Sequence, residues 1–250
     1  MYNQSKEELK KSVLSELEFQ YNYEQNNCKF ESIGYFIIEF VDMLVEKGKF
    51  DLDQANLFYD KAIKANSLYL SILEKIDENY NNIIEFENAQ NMEFPCLCGE
   101  DERKIKRCLE SIIITSRRIL DIISPIFSQI LFNKREDSFN KLIKNIKSKN
   151  DRKFSIVNEY IEIYSNSEIS PYRLLCGVEK GRALRDKLIH QTDIRLDYDE
   201  YKENSEKEKL YIIINNSYYL YDVFILYFKM SFYHFVIEFV CIIQKIIINY

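Results

Sequence analysis

Residues that break regular structure are scarce in this chain of 250 residues. It has five glycines and three prolines, against average usage of about 7 % and 5 %. β-Sandwiches, β-barrels and dinucleotide-binding α/β folds depend on turn residues and glycine-rich loops. Their scarcity argues against those classes. The composition predicts an all-α protein, a multi-helix bundle.

Metal-binding patterns are also scarce. Six cysteines are scattered along the chain, and only Cys96 and Cys98 form a close pair, in CLCGE. Together with Cys108 they resemble part of a metal-binding motif, but the usual ligand spacing is missing and no histidine is near. We expect reduced thiols, with no metal and no cofactor. The less favoured alternative is a metal at these cysteines.

No segment has the uninterrupted apolar length of a membrane span. The most apolar run, residues 218–250, is interrupted by Asp222, Lys229, Glu238 and Lys245, which leaves no uncharged window of 18 residues. It predicts a buried helix, or one covered by a partner chain. The N-terminal MYNQSKEELKKSV lacks the apolar core of a signal peptide. A cytoplasmic protein with no membrane partner is expected.

Helical periodicity organises the first half of the chain. It predicts an amphipathic helix over 5–24, a helix over about 29–47 that stops at Gly48, and one long or two shorter helices over 51–90. NMEFPCLCGED, residues 91–101, contains a proline and a glycine. We place a boundary there, between an N-terminal helical unit (1–95) and a second helical unit (96–250). The alternative is one continuous bundle.

The second half is predicted to be helical with a β insertion. A long helix follows the boundary, and Pro125 should kink it or end its first part. Ser170 is a plausible N-cap with Pro171 in first position, so a helix should run from there toward His190. The patterns also predict short helices near 136–148 and 151–165, a β-hairpin near 193–215 and the closing apolar helix.

Positive charge is concentrated in the middle of the chain. Residues 101–153 hold 14 Lys and Arg against 7 Asp and Glu, a net charge of +7 within a chain of net charge −6. The remainder therefore carries −13. The segment KLIKNIK places Lys141, Lys144 and Lys147 along one helical face. This face is either simply solvated or a strip that contacts phosphates.

The segment GRALRDKLIHQT, residues 181–192, combines an arginine with one of the two histidines at a predicted helix end. Asp186 follows Arg185, and two apolar residues precede His190. Five residues turn through about 500° on an α-helix, so one continuous helix would point Arg185 and His190 about 140° apart. Either the helix frays at His190, or a second copy of the chain supplies another Arg–His pair.

This segment resembles the signature of the HEPN superfamily, in which an arginine is followed by a polar residue and, a few positions later, by a histidine. Here the signature is RDKLIH, residues 185–190. The helices before it and the apolar helix after it resemble the helical layout of that family over about 100–250. Many members carry a tyrosine two positions after the histidine, where this chain has Thr192.

The resemblance implies a helical domain that forms a homodimer with its motif helices facing across a two-fold axis. In active members it implies metal-independent RNA cleavage that leaves a 2′,3′-cyclic phosphate and a 5′-hydroxyl. A histidine with a pKa near 6.5 transfers protons near neutral pH. A guanidinium stabilises the charge that develops on the phosphorane. The catalytic candidates are Arg185, His190 and Asp186.

The supporting residues have alternatives. Asp186 either orients a neighbouring Arg or His or is a surface acid, and Arg182 either extends the phosphate clamp or is solvated. The candidate RNA-binding residues are Arg182, Lys187, Thr192, Lys141 and Lys144. His234 lies in the apolar C-terminal run between Tyr233 and Phe235. We expect it to be a hydrogen-bonded core histidine.

Three functions are compatible with the sequence. The leading hypothesis is an endoribonuclease, a bacterial toxin or phage-defence effector, whose partners are RNA, a second copy of the chain and an antitoxin or regulatory protein. The alternative is a non-catalytic helical protein for dimerisation or binding, in which Arg185 and His190 are structural. A third is an interaction protein whose C-terminal helix packs on a partner. That one predicts an exposed apolar strip on the helix.

Overall fold

The protein is an all-α bundle with one small β-sheet, as predicted. The structure is a computed structural model that describes residues 33–89, 99–149, 151–177, 183, 195–199, 209–214 and 217–249. The helices within these residues are α1 (Ile33–Glu46), α2 (Leu52–Ala89), α3 (Gly99–Phe132), α4 (Phe139–Ser148), α5 (Ser155–Asn166), α6 (Pro171–Cys176) and α7 (Tyr221–Asn249). A 3₁₀ turn (Arg152–Phe154) precedes α5. The strands are β1 (Arg195–Asp199), β2 (Lys209–Ile214) and β3 (Ser217–Leu220).

Helix α1 confirms the prediction of a helix that stops at Gly48. Gly48 has φ +64°, its N–H donates to the Val45 carbonyl at 2.8 Å, and the Lys49 N–H donates to the Leu44 carbonyl at 2.8 Å. This is the Schellman pattern, which satisfies the last carbonyls of a helix and needs a residue that tolerates positive φ. The helix predicted over 5–24 lies outside the described residues.

The segment predicted as one or two helices is a single helix, α2, of 38 residues. It pairs antiparallel with α3, and Cys108 of α3 contacts Glu78 at 3.5 Å and Asn82 at 3.6 Å. Spacings alternating between three and four residues, as in a coiled coil, place one stripe of α2 in the core. The buried residues of this stripe are Ala55, Phe58, Ala62, Ala65, Tyr69, Ile72, Ile76, Asn79 and Ile83.

Helix α3 continues past Pro125 to Phe132, so of the two alternatives for Pro125 the end of the helix is wrong, and the kink stays a prediction. Proline removes one backbone donor from the helix. Pro125 is nevertheless buried, between residues of α3 that belong to the core. Burial of Pro125 and of the apolar residues around it in α3 outweighs the missing hydrogen bond.

Helix α6 is much shorter than predicted. Its start is as expected, because Ser170 accepts the Arg173 N–H at 3.2 Å and Pro171 is the first residue. It ends at Cys176, because Gly177 has φ +74° and ψ 178°, which is not helical. The prediction of one helix running from Ser170 toward His190 is therefore wrong, because the helix is interrupted at Gly177.

The predicted hairpin is present, and a third strand extends it. β1 pairs antiparallel with β2, with Leu196 opposite Ile212, and β2 pairs antiparallel with β3. Alternation along β2 buries Leu210, Ile212 and Ile214. β3 leads directly into α7. The sheet therefore packs one face on the bundle immediately before the closing helix.

Helix α7 is the buried helix that its composition predicts. Phe235 stacks on Tyr160 with ring centroids 5.6 Å apart, and Phe239 meets Phe127 edge-on at 5.2 Å. By length and composition α7 is able to cross a membrane, but 61 % of its most apolar 18-residue window is buried inside the protein. Its exposed large apolar residues are Val223 and Ile248, near its two ends. The exposed strip that the third hypothesis requires is not found on α7.

One hydrophobic core cluster joins the described residues on both sides of the predicted boundary, from Ile33 to Ile246. It includes residues of α1 and α2 together with residues of α3 to α7 and the sheet. The boundary itself, at 95/96, lies outside the described residues. The division into 1–95 and 96–250 stays a prediction.

Candidate functional site

The predicted catalytic segment lies almost entirely outside the described residues. This applies to Arg182, Arg185, Asp186, Lys187, His190 and Thr192. Their roles therefore stay predictions. Ala183 is described, and its side chain is 2 % exposed. Ala183, two positions before Arg185, is therefore a buried residue.

The described chain that leads into this segment is anchored by a buried arginine of α3. Arg117 is 4 % exposed, and its Nε and Nη2 donate to the two carboxylate oxygens of Asp121 at 3.0 and 2.9 Å. Its Nη1 donates to the Leu175 carbonyl at 3.4 Å and to Cys176 Sγ at 3.1 Å. The last turn of α6 is therefore fastened to α3 immediately before Gly177.

The charge of Arg117 is retained in this buried position. Burial by itself lowers the pKa of a guanidinium, but Cys176 and the Asp121 carboxylate outweigh burial, so that the pKa of Arg117 is raised. A guanidinium carries five donors in a planar fork. Arg117 uses that fork to hold several acceptors at once, as a buried charge requires.

The same anchor also fixes the start of α4. Arg117 Nη1 donates to Asn140 Oδ1 at 2.8 Å, and Asp121 Oδ1 accepts the Phe139 N–H at 2.9 Å. Asn140 Nδ2 donates in turn to the Cys176 carbonyl at 3.4 Å. The beginning of α4 and the end of α6 are therefore joined directly and through Arg117.

Helix α4 carries the predicted lysine face. Lys141, Lys144 and Lys147 are exposed, whereas Leu142 and Ile146 are buried in the core. The structure thus confirms the sidedness of this helix; contact with phosphate stays a prediction. The first lysine of this face, Lys141, directly follows Asn140. Asn140 is hydrogen-bonded both to Arg117 and to the Cys176 carbonyl.

The described cysteines do not form a metal site. No group of three or more His, Cys, Asp and Glu side chains able to hold a metal occurs in the described residues. Burial and the adjacent Glu78 raise the pKa of Cys108 to about 11, so this thiol stays protonated at neutral pH. Cys96 and Cys98 lie outside the described residues.

His234 is a core residue, as predicted. It is 3 % exposed, and its Nε2 has no hydrogen-bond partner among the described residues. Burial lowers the pKa of His234 from 6.5 to about 4. His234 is therefore neutral at pH 7.

We expect His234 to make folding stability fall in mild acid. The unfolded chain takes up the proton at pH 6.5 and the folded chain at about pH 4. The stabilisation is therefore complete above pH 6.5 and is lost as pH falls toward 4, by about 3 kcal/mol in all. Urea unfolding of wild type and His234→Leu at pH 7 and pH 4 measures this, because other titrating groups cancel between the two proteins. Equal losses in both proteins would contradict the assignment.

Arg117 and Asp121 are the residues that sequence reasoning missed. Their signal was present, since they lie four positions apart in the otherwise apolar stretch ITSRRILDII, where an i,i+4 ion pair is possible. The pattern does not distinguish Arg117 from its neighbour Arg118. In the structure Arg118 is exposed and Arg117 is buried.

Comparisons of the chain with family models, with curated proteins and with solved structures find no match.

Proposed function

We propose that this chain is a metal-independent endoribonuclease of the HEPN type, active as a homodimer. Arg185 and His190 are its catalytic pair, and Asp186 orients one of them. The proposal includes a cytoplasmic role as a bacterial toxin or phage-defence effector held in check by an antitoxin or regulatory protein. It rests on the resemblance of residues 185–190 to the HEPN signature.

The observation that best supports the proposal is the anchor at Cys176. It fastens the chain nine positions before Arg185, and Asn140 connects that point to α4. Ala183, which is buried, is a second fixed point. A site that cleaves RNA needs a held catalytic segment and nearby cations for the phosphates, because phosphate contacts set the position of the strand. We propose Lys141 and Lys144, which are exposed and follow Asn140 on α4, as these cations.

The chemistry requires three groups. Attack of a ribose 2′-hydroxyl on the adjacent phosphate needs a base, an acid for the departing 5′-oxygen, and a cation for the charge on the phosphorane. One histidine from each protomer provides the base and the acid, and the arginines provide the charge. A two-fold interface brings both Arg–His pairs into one cleft.

The test is RNA cleavage by the purified chain in excess EDTA. We expect cleavage to continue in EDTA and to leave 5′-hydroxyl ends, which polynucleotide kinase labels without prior phosphatase treatment. The 3′ ends should carry 2′,3′-cyclic phosphate, detected by mass spectrometry. RNA that stays intact, or products with 5′-phosphate, would refute the proposal. Intact RNA that is nevertheless bound would favour the non-catalytic binding protein.

A further inference from the structure

Helix α1 packs along only the first part of α2. At the start of α1, the Gly34 N–H donates to Asn66 Oδ1 at 3.3 Å, and a Cβ at Gly34 would lie 3.0 Å from the Ala62 carbonyl oxygen. Further along α1, Asp42 accepts a hydrogen bond from the Tyr59 hydroxyl. The two helices therefore run antiparallel, and α1 begins beside Asn66 of α2.

The face of α2 that α1 uses continues past Asn66 as an apolar surface. Leu73 follows Asn66 by seven residues, a spacing that keeps side chains on one face of a helix. Ile63, Leu70 and Ile84 lie beside this row at multiples of seven residues, and they are 59 %, 50 % and 52 % exposed. We call these three residues the α2 stripe. Exposed apolar residues that share one face mark an interaction surface.

The chain that precedes α1 is long enough to cover the α2 stripe. Residues 5–24 are predicted to form an amphipathic helix, which would be about 30 Å long, and the stripe from Ile63 to Ile84 spans about 31 Å. Residues 25–32 connect this segment to α1 and reach at most about 29 Å. The apolar side chains on one face of the segment are Leu9, Val13, Leu14, Leu17 and Tyr21.

Charge favours one direction for the segment on α2. Residues 5–11 hold three Lys and two Glu, a net charge of +1, and residues 12–24 hold three Glu, a net charge of −3. On α2, residues 60–69 hold two Lys and one Asp, a net charge of +1, and residues 70–85 hold four Asp and Glu and one Lys, a net charge of −3. An antiparallel segment pairs opposite charges at both ends, whereas a parallel one pairs like charges. The chain requires the same direction, because the end of the segment connects to α1 beside Asn66.

We propose that the α2 stripe is the docking site of residues 5–24, which lie antiparallel to α2 and continue the layer that α1 begins. The apolar face of the segment covers Ile63, Leu70 and Ile84, and removal of this apolar surface from water drives the docking. The lysines of the segment lie toward the carboxylates of residues 70–85. The docking does not rest on the proposed ribonuclease activity.

The test uses a single introduced tryptophan, because the chain has none. Leu70→Trp places it in the α2 stripe of the full chain. Adding Val13→Asp and Leu17→Asp should move its emission maximum to longer wavelength and increase its quenching by acrylamide, since burying two carboxylates against an apolar surface is costly. Ser12→Asp with Ser15→Asp adds the same charge to the other side of the segment, and it should change neither quantity.

A second probe position shows whether the change is local. Leu57 is 43 % exposed on α2, about 140° around the helix from Leu70. In the Leu57→Trp protein, the Val13→Asp and Leu17→Asp pair should leave emission and quenching unchanged. An equal change at both probe positions, or no change at Leu70→Trp, would overturn the docking.

Carbodiimide cross-linking of the unsubstituted protein tests the direction of docking. It joins a lysine to a carboxylate when the two groups are in contact. We expect mass spectrometry to find Lys6, Lys10 or Lys11 joined to Asp77 or Glu85. An equal mixture of isotope-labelled and unlabelled protein identifies the occupant. Cross-links within one chain support the proposal, whereas cross-links between labelled and unlabelled chains place a second copy on the stripe and overturn it. If none of these lysines is joined to either carboxylate, the antiparallel docking is refuted.

Discussion

Replacement of His190 by alanine is expected to lower the rate of RNA cleavage by a factor of roughly 10² to 10⁴, the usual contribution of a positioned acid or base. Arg185→Ala should cost roughly 10² to 10³, the range seen when one charge-stabilising donor is removed. Arg185→Lys should recover little of this. An ammonium keeps the charge but loses the planar fork that matches two phosphate oxygens.

The measurement is single-turnover cleavage of a labelled RNA, with each variant at a concentration that saturates binding. Arg152→Ala is the matched control, because Arg152 is an exposed arginine in the 3₁₀ turn. It should cleave within about twofold of wild type. Arg182→Ala decides whether that residue extends the clamp or is solvated.

Folding must be followed in the same variants. If His190→Ala and Arg185→Ala lose cleavage only because they unfold, the pair is structural and the non-catalytic alternative is favoured. Retained cleavage in a folded His190→Ala protein would exclude the proposed mechanism. Analytical ultracentrifugation should show wild type and the folded variants as dimers, because the pair acts within an existing interface.

Arg117→Ala is expected to destabilise the fold by about 3 kcal/mol, as for loss of one partner from a buried ion pair. Asp121 would lose both of its guanidinium bonds, and Asn140 Oδ1 and the Leu175 carbonyl would each lose a donor. A buried acceptor such as the Leu175 carbonyl is costly without its donor because it gave up water to be there, whereas Asp121 is half-buried and Asn140 is exposed. The hydrogen bonds that are lost are those by which Arg117 connects α3 to α4 and α6.

The neighbouring residue offers a matched control for this prediction. Arg118→Ala removes the same side chain from the same helix, but Arg118 is exposed, and surface substitutions usually change stability by less than about 0.5 kcal/mol. Urea unfolding at pH 7 compares the two variants. A difference of less than about 1 kcal/mol between them would show that the anchor does not stabilise the fold.

Much of the architecture followed from local patterns. Scarce Gly and Pro, the 3–4 spacing of apolar residues in α2 and the alternation in β2 are properties of short windows, which a sequence displays directly. Gly48 and Ser170 were identified as helix boundaries for the same reason, since a cap acts on the turn next to it. The C-terminal helix was recognised as buried because it is apolar nearly all round.

The errors arose where several local signals compete. Pro125 was expected to kink α3 or to end its first part, and the second alternative failed because the residues on both sides of it are buried in the core. Gly177 ended α6 although the apolar pattern continued beyond it. A sequence pattern does not reveal whether the helix-breaking effect of a proline or glycine or the burial of apolar side chains is larger. The burial energy depends on residues far away in the chain.

The sequence alone was sufficient to predict a helical bundle with a β insertion, the buried C-terminal helix and the exposed lysines of α4, because periodicity along one element decides which side is covered. It also provides the Arg185–His190 hypothesis, which stays a prediction. Only the tertiary structure distinguished Arg117 from Arg118 and joined the start of α4 to the end of α6 through Arg117. Both results depend on contacts between residues far apart in the chain, and no local window contains them.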